Sequence, residues 1–212
     1  MRIVIIGAGG HAQVVADIFF RMREAGEDME PVGFLDDNPE LAGRSFLGLP
    51  VLGTIGRLTE IPHDAVIIAI GDNRKRGALY KVLEGRGERF ATARHPGTTI
   101  APDARIGPGS MISAGVIVNP GSAVGANVIL NTGSTADHHN RIGEHVHIAP
   151  GVHMGGGVTV DEGALVGIGA TVVPGRRIGA WSVVGAGAVV VRDVPPGRTV
   201  VGVPAKERRP PD

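Results

Sequence analysis

Leu130-Asn131-Thr132-Gly133-Ser134-Thr135, Ala136-Asp137-His138-His139-Asn140-Arg141, Ile142-Gly143-Glu144-His145-Val146-His147 and Ile148-Ala149-Pro150-Gly151-Val152-His153 are four successive blocks of six residues. Followed outward in both directions, the first position of the block runs Ile100, Ile106, Ile112, Val118, Val124, Leu130, Ala136, Ile142, Ile148, Met154, Val160, Val166, Val172, Ile178, Val184 and Val190. There is no insertion or deletion, and only Ala136 is small. The position four residues later is mostly small or β-branched, as at Ser110, Val116, Ser122, Val128, Val146 and Val158. A fixed six-residue period of this kind predicts a parallel β-helix, each block one short strand and one corner, with the repeating aliphatic turned inward. Three faces make a coil of roughly 18 residues, so the stretch predicts about five coils. Glycines such as Gly107, Gly143 and Gly179 fit places where a Cβ would clash.

Composition agrees with a narrow aliphatic interior: only 3% of the 212 residues are aromatic. The formal net charge is zero, which argues against a nucleic-acid surface built on bulk positive charge. With no cysteine, the chain offers no disulfide, thiolate zinc site or Cys nucleophile. The apolar opening Ile3 to Ile6 is too short for a signal-peptide core, and no run reaches membrane-spanning length. A cytoplasmic protein is the expectation.

The abrupt start of the period predicts two domains, 1–97 and 98–212. The first reads as an α/β unit with a small parallel βαβ sheet. Arg2 to Ile6 is a buried strand, Gly7-Ala8-Gly9-Gly10-His11 a glycine turn, and a helix follows to about Ala25, supported by Val14, Val15, Ile18 and Phe19. Pro31 to Asp37 is the second strand, and Leu47 to Thr54 a loop with a short extended piece. Ala65 to Gly71 is the third strand; Asp72-Asn73 then caps a helix through about Leu83, and Arg89 to Arg94 makes a fourth strand. A glycine turn between a strand and a helix N-terminus can cradle a phosphate, and ligands in such sheets sit at the strand carboxyl ends, where Gly9, Asp36 and Gly71 fall. The turn meets only the looser G-x-G-x-x-A form, since Ala12 stands where a third glycine would be. A purely structural tight turn is therefore the competing reading.

In the second domain, five of the eight histidines (His138, His139, His145, His147 and His153) fall between Asn131 and Gly157. His138 follows Asp137 and lies in the block where Ala136 breaks the aliphatic file, and an imidazole is the natural general base at neutral pH. His139, His145 and His153 read by pattern as corner or solvent-facing residues. His138 and His147 are nine residues apart, half a coil, so one subunit places them on opposite sides of the prism. Subunits packed around a threefold axis could join such faces, which predicts a homotrimer with clefts between solenoids.

These pieces, taken in order, carry a resemblance. Gly7-Ala8-Gly9-Gly10-His11, Phe34-Leu35-Asp36-Asp37, Ala69-Ile70-Gly71-Asp72-Asn73, Leu130-Asn131-Thr132, Asp137-His138, His147-Ile148-Ala149-Pro150-Gly151 and Val201-Gly202-Val203-Pro204-Ala205-Lys206 are distributed over nearly the whole chain. The chain resembles the bacterial acyltransferases that join a nucleotide-sugar-binding domain to a left-handed β-helix: the nucleotide-linked amino-sugar N-acetyltransferases, such as those of bacillosamine and perosamine synthesis, with the related sialic acid O-acetyltransferases. The resemblance implies acetyl-coenzyme A as co-substrate, no metal, and a nucleotide-linked deoxyamino sugar as acceptor. It implies that Gly9, Gly10, His11, Asp36, Asp37 and Gly71 hold the nucleotide part, that His138 is the base, and that His147, Gly156, Ile168 and the backbone near Ala186 line the acetyl-coenzyme A site. Bacillosamine-type members carry a carboxylate directly after the base, where this chain has His139; either Asp137 orients the imidazole, or the base works with a weaker partner.

The rivals are O-acetylation of a sugar, a metalloenzyme resembling the γ-type carbonic anhydrases, a nicotinamide oxidoreductase resting on the glycine turn, and a non-catalytic trimeric sensor. No histidine pair shows the five-residue spacing expected of the metalloenzyme.

Overall fold

A computed structural model of the chain describes residues 1–208 and divides it into two compact units, one ending at Pro96 and one beginning at Gly97. In the first unit β1 (Arg2–Ile6), α1 (Gly10–Glu24), β2 (Glu30–Leu35), β3 (Ser45–Phe46), β4 (Leu49–Gly53), β5 (Ala65–Ile68) and α2 (Asn73–Gly85) follow in sequence. The strands form one sheet in the order β3-β4-β2-β1-β5, parallel from β4 to β5. The short antiparallel pair of β3 and β4 lies within and beside the segment expected as mainly loop. Ile3, Val4, Ile5 and Ile6 are completely buried, as a continuous apolar run in a parallel strand requires.

Helix α1 buries Val15, Ile18 and Phe19 but leaves Val14 42% exposed, so the apolar stripe is one residue narrower than the sequence suggested. Asp72 caps α2, its carboxylate accepting the Lys75 N–H at 2.9 Å. The expected fourth strand is broken up: Phe90 bridges Val66, only Ala93–Arg94 is a strand, and the Phe90 ring stacks on Tyr80 of α2 at 4.0 Å. The backbone meets β5 at this point, the Val66 N–H donating to the Arg89 carbonyl at 2.8 Å and the Ala91 N–H to the Val66 carbonyl at 2.9 Å.

The second unit is a left-handed parallel β-helix whose two-residue strands stack in three sheets. The first face carries Thr99–Ile100, Ile117–Val118, Thr135–Ala136, His153–Met154, Thr171–Val172 and Val189–Val190. The second runs from Arg105–Ile106 to Arg177–Ile178, and the third includes Met111–Ile112, Ile129–Leu130, His147–Ile148, Leu165–Val166 and Val183–Val184. Partners in register differ by 18 residues, as in Val118 with Ala136 and Ile142 with Val160, until the last coil, where Val184 meets Val200. The six-residue file of aliphatics is the interior, buried from Ile112 through Val190. Coils lie so close that a Cβ on Gly107 would stand 2.5 Å from the Gly125 carbonyl carbon. Among the described residues no helix is long and apolar enough to cross a membrane.

Candidate active site

In the β-helix the histidine pair occupies the corner between the first and second faces. Asp137 follows the inward Ala136, and its Oδ1 accepts hydrogen bonds from Asn119 Nδ2 at 2.9 Å and from the His138 backbone N–H at 2.8 Å. The Asn119 bond, followed by the His138 N–H, holds the Asp137 carboxyl below the usual carboxylate range. One oxygen of the carboxylate is thus engaged by the Asn119 amide and the backbone of the turn.

The His138 ring instead meets His139: the two Nδ1 atoms stand 3.1 Å apart and the rings meet edge-on at 78°. This is possible because His139 adopts a left-handed φ of +59°, in an 18-residue file otherwise held by Gly121, Gly157 and Gly175. The His139 ring lies over Gly121 of the preceding coil, where a Cβ would be 2.7 Å from Cδ2. The His138 ring lies over Gly156 of the following coil, where a Cβ would be 2.4 Å from Cε1 and 2.5 Å from Nε2. The backbone N–H of Gly156 donates to no group among the described residues. Base and free donor therefore share one corner, and both imidazoles are exposed.

Asn140, which the sequence reading overlooked, fixes this arrangement from inside. It is fully buried, and its Nδ2 donates to the carbonyls of Asp137 and of Gly155 (3.2 Å for the latter), the residues just before His138 and Gly156. Ser122 Oγ donates to the same Asp137 carbonyl at 3.0 Å and accepts the Asn140 N–H at 3.1 Å. The signal was present: Asn140 is an amide in the inner file that elsewhere is almost entirely small or β-branched.

The other candidates of this unit lie elsewhere on the prism. His147 is on the third face, its Nε2 3.4 Å from Asn131 Nδ2. Ile168, 60% exposed, and Ala186 sit one coil apart on the corner between the third and first faces, a ridge so tight that a Cβ on Gly167 would meet the Ala186 nitrogen at 2.7 Å. One chain thus sorts the site residues onto two corners, with Gly156 beside the base rather than beside Ile168. His145 is buried in a left-handed corner against Asn127, and His153 is exposed against Thr135. Among the described residues no group of three or more His, Cys, Asp or Glu could hold a metal ion.

In the first unit the carboxyl ends of β1, β2 and β5 converge as the glycine turn predicts. Asp36 ties the first two together: Oδ2 accepts the Ala8 N–H at 2.7 Å and Oδ1 the Asn38 N–H at 2.9 Å. Asp37 Oδ1 takes the Ile55 N–H at 2.9 Å. The glycines divide by physical need. Gly7, at φ +105° with a virtual Cβ 2.9 Å from the Ala69 carbonyl oxygen, is demanded by the fold. Gly9, at φ −74°, Gly10 and Gly71 have open space where a Cβ would be, so nothing in the chain's own packing requires glycine there. Open space above a helix N-terminus with no acidic residue in its first turn suits the approach of an anion.

Beneath this turn lies a residue that the sequence reading also missed. Arg76, 1% exposed, donates to the carbonyls of Ile70 at 3.0 Å and Gly71 at 3.4 Å. Burial lowers its pKa to about 10, leaving it cationic at neutral pH. Burial, and secondarily this cation, lower His11 to about 4. His11 consequently offers a neutral imidazole, a hydrogen-bonding group without charge.

Residues 2–83 match the family described as the PglD N-terminal domain. The structure of PerB from Caulobacter crescentus in complex with CoA and GDP-perosamine is 39% identical, covering 99% of this chain and 98% of its own, with a TM-score of 0.90. The acetyltransferase domain of PglB from Neisseria gonorrhoeae, in complex with acetyl coenzyme A, is 36% identical over 98% of both chains, also with a TM-score of 0.90. WeeI from Acinetobacter baumannii is 27% identical, covering 98% of this chain and all of its own, with a TM-score of 0.67. No curated protein matches the sequence.

Proposed function

The chain belongs to the hexapeptide-repeat sugar N-acetyltransferases, and from that premise we propose that it transfers the acetyl group of acetyl-coenzyme A to the amino group of a nucleotide-linked deoxyamino sugar. The observation that carries this reading to individual residues is the seating of the His138 imidazole on Gly156, beside an uncommitted backbone N–H. His138 Nε2 takes a proton from the amino group, and the free amine adds to the thioester carbonyl. The Gly156 N–H stabilises the oxyanion, a contribution that can exceed that of the base. Coenzyme A leaves as the thiol. No Cys is present and direct transfer within a ternary complex needs no covalent enzyme intermediate.

Asp137 serves the base indirectly, fixing the turn through the His138 N–H, while His139 supplies the imidazole's hydrogen-bond partner. His147, Ile168 and the Ala186 backbone line the acetyl-coenzyme A arm; the support is an exposed apolar side chain on a close-packed ridge. Gly9, Gly10, His11, Asp36, Asp37 and Gly71 hold the nucleotide, supported by the open space at three glycines and by the helix N-terminus.

The two corners of one solenoid become one site in a homotrimer, where the ridge of one copy faces the histidine corner of the next. Light scattering under assay conditions tests this, a fully active monomer being the contrary result. The cytoplasm is the proposed compartment. The experiment for the activity itself is a screen of UDP-, GDP- and dTDP-linked amino sugars with acetyl-coenzyme A, following thiol release. At least one sugar must give turnover that its deaminated analogue does not.

A further inference from the structure

The base of this site is backed by a second imidazole instead of a carboxylate, and the difference is chemical. An Nδ1 to Nδ1 distance of 3.1 Å requires one ring to donate and the other to accept. For Nε2 of His138 to hold the lone pair that meets substrate, its proton must sit on Nδ1, and Nδ1 of His139 must accept it. Neutral His139 then carries its own proton on Nε2, on an exposed ring. Asp137 does not take this place: its Oδ1 accepts from Asn119 and from the backbone N–H of His138, while the His138 Nδ1 meets His139. The left-handed backbone at His139 and the seat on Gly121 hold the second ring in place. A carboxylate there would orient the base and balance its charge; a neutral imidazole can also accept a proton on one side and release one on the other.

We propose, building on the acetyltransferase reading, that His139 is a proton carrier between His138 and water. The substrate ammonium gives a proton to His138 Nε2, the His138 Nδ1 proton passes to His139 Nδ1, and the His139 Nε2 proton goes to water. This leaves a free amine, two neutral imidazoles and one hydronium ion. His138 now bears its proton on Nε2, the tautomer that a general acid needs. When the adduct expels the coenzyme A thiolate, His138 Nε2 protonates the sulfur, the His139 Nδ1 proton returns to His138 Nδ1, and water reprotonates His139 Nε2. The surplus proton on the new amide nitrogen goes to water. The sum is ammonium plus thioester giving amide, thiol and one released proton. His139 touches no reacting atom and acts only through His138.

His139→Asn separates relay from orientation. Asparagine tolerates the left-handed backbone, and its Oδ1 can accept from His138 where Nδ1 now stands, but it has no second proton to pass. In the 15N-labelled wild-type protein, a coupling across the hydrogen bond between the two Nδ1 atoms is expected without any substrate. In His139→Asn, kcat is expected to fall about tenfold with both KM values retained, a fraction of what a general base contributes. The proton inventory of kcat in H2O/D2O mixtures is expected to change from curved in the wild type to linear in the variant. Absence of the coupling overturns the pairing whatever the substrate proves to be. A His139→Asn enzyme with wild-type kcat and a curved inventory overturns the relay and leaves the acetyltransferase reading standing. Absence of wild-type turnover sinks that reading and this inference with it.

Discussion

Gly156→Ala adds one methyl group to the seat of the base. The new Cβ would lie 2.4 Å from His138 Cε1 and 2.5 Å from Nε2, where nonbonded carbon atoms rest at about 3.5 Å. Something must move by roughly 1 Å, and the yielding group is the exposed ring, because the backbone here is locked by ladder bonds such as Gly157 N–H to the His138 carbonyl at 2.9 Å. Gly156 does not have a positive φ, so alanine brings no backbone strain. The fold should therefore lose little, while a misplacement of about 1 Å at a reacting group costs on the order of 100-fold, about 2.7 kcal/mol of activation free energy. Steady-state thiol release should show kcat reduced by that factor, with the melting temperature within a few degrees of wild type. A variant that turns over at the wild-type rate would mean that the ring's position over Gly156 is irrelevant to the chemistry.

His138→Ala should lower kcat by about 10²- to 10⁴-fold while both substrates still bind, and the acidic limb of the kcat/KM profile should vanish; survival of that limb places the base elsewhere. Asp36→Ala removes the Ala8 tether and a charge-assisted acceptor, so the KM for the nucleotide-sugar should rise about 10- to 150-fold with that for acetyl-coenzyme A nearly unchanged. Equal effects on both constants would signal a folding defect and remove the assignment. His11 has its folded pKa lowered from 6.5 to about 4, so as pH falls the unfolded chain binds this proton first and stability drops between those values. His11→Asn should flatten that part of the stability curve, measured by urea unfolding at pH 7 and pH 5, whereas an unchanged slope would place His11 in contact with solvent.

The β-helix was legible because its period is unbroken: sixteen aliphatics at one spacing admit few other packings, and the interior from Ile112 to Val190 is the file read from the chain. His138 stood out through the loss of bulk at Ala136. What one position does to the next was less legible. The partner of His138 depends on the left-handed φ of His139, and only a histidine in a file of glycines at 18-residue spacing hinted at it. Asn140 showed itself only as an amide in a file of small residues, and Arg76 acts through the carbonyls of Ile70 and Gly71, contacts that tertiary structure creates and that leave no spacing in the sequence. The strand expected at Arg89 to Arg94 is split into the Phe90 bridge and the pair Ala93–Arg94, a break that no residue in the segment marks. Gly7 and Gly9 look alike in the motif and differ only in what surrounds them.

The central claim is amide formation on a nucleotide-linked amino sugar, and the nature of the new bond tests it. The product of the best substrate in the screen should gain one acetyl group by mass for each thiol released, and the gain should survive alkaline hydroxylamine, which cleaves oxygen esters and leaves amides. An acetyl group removed by hydroxylamine would show oxygen to be the acceptor, and thiol release without any acetylated sugar would contradict the transfer altogether.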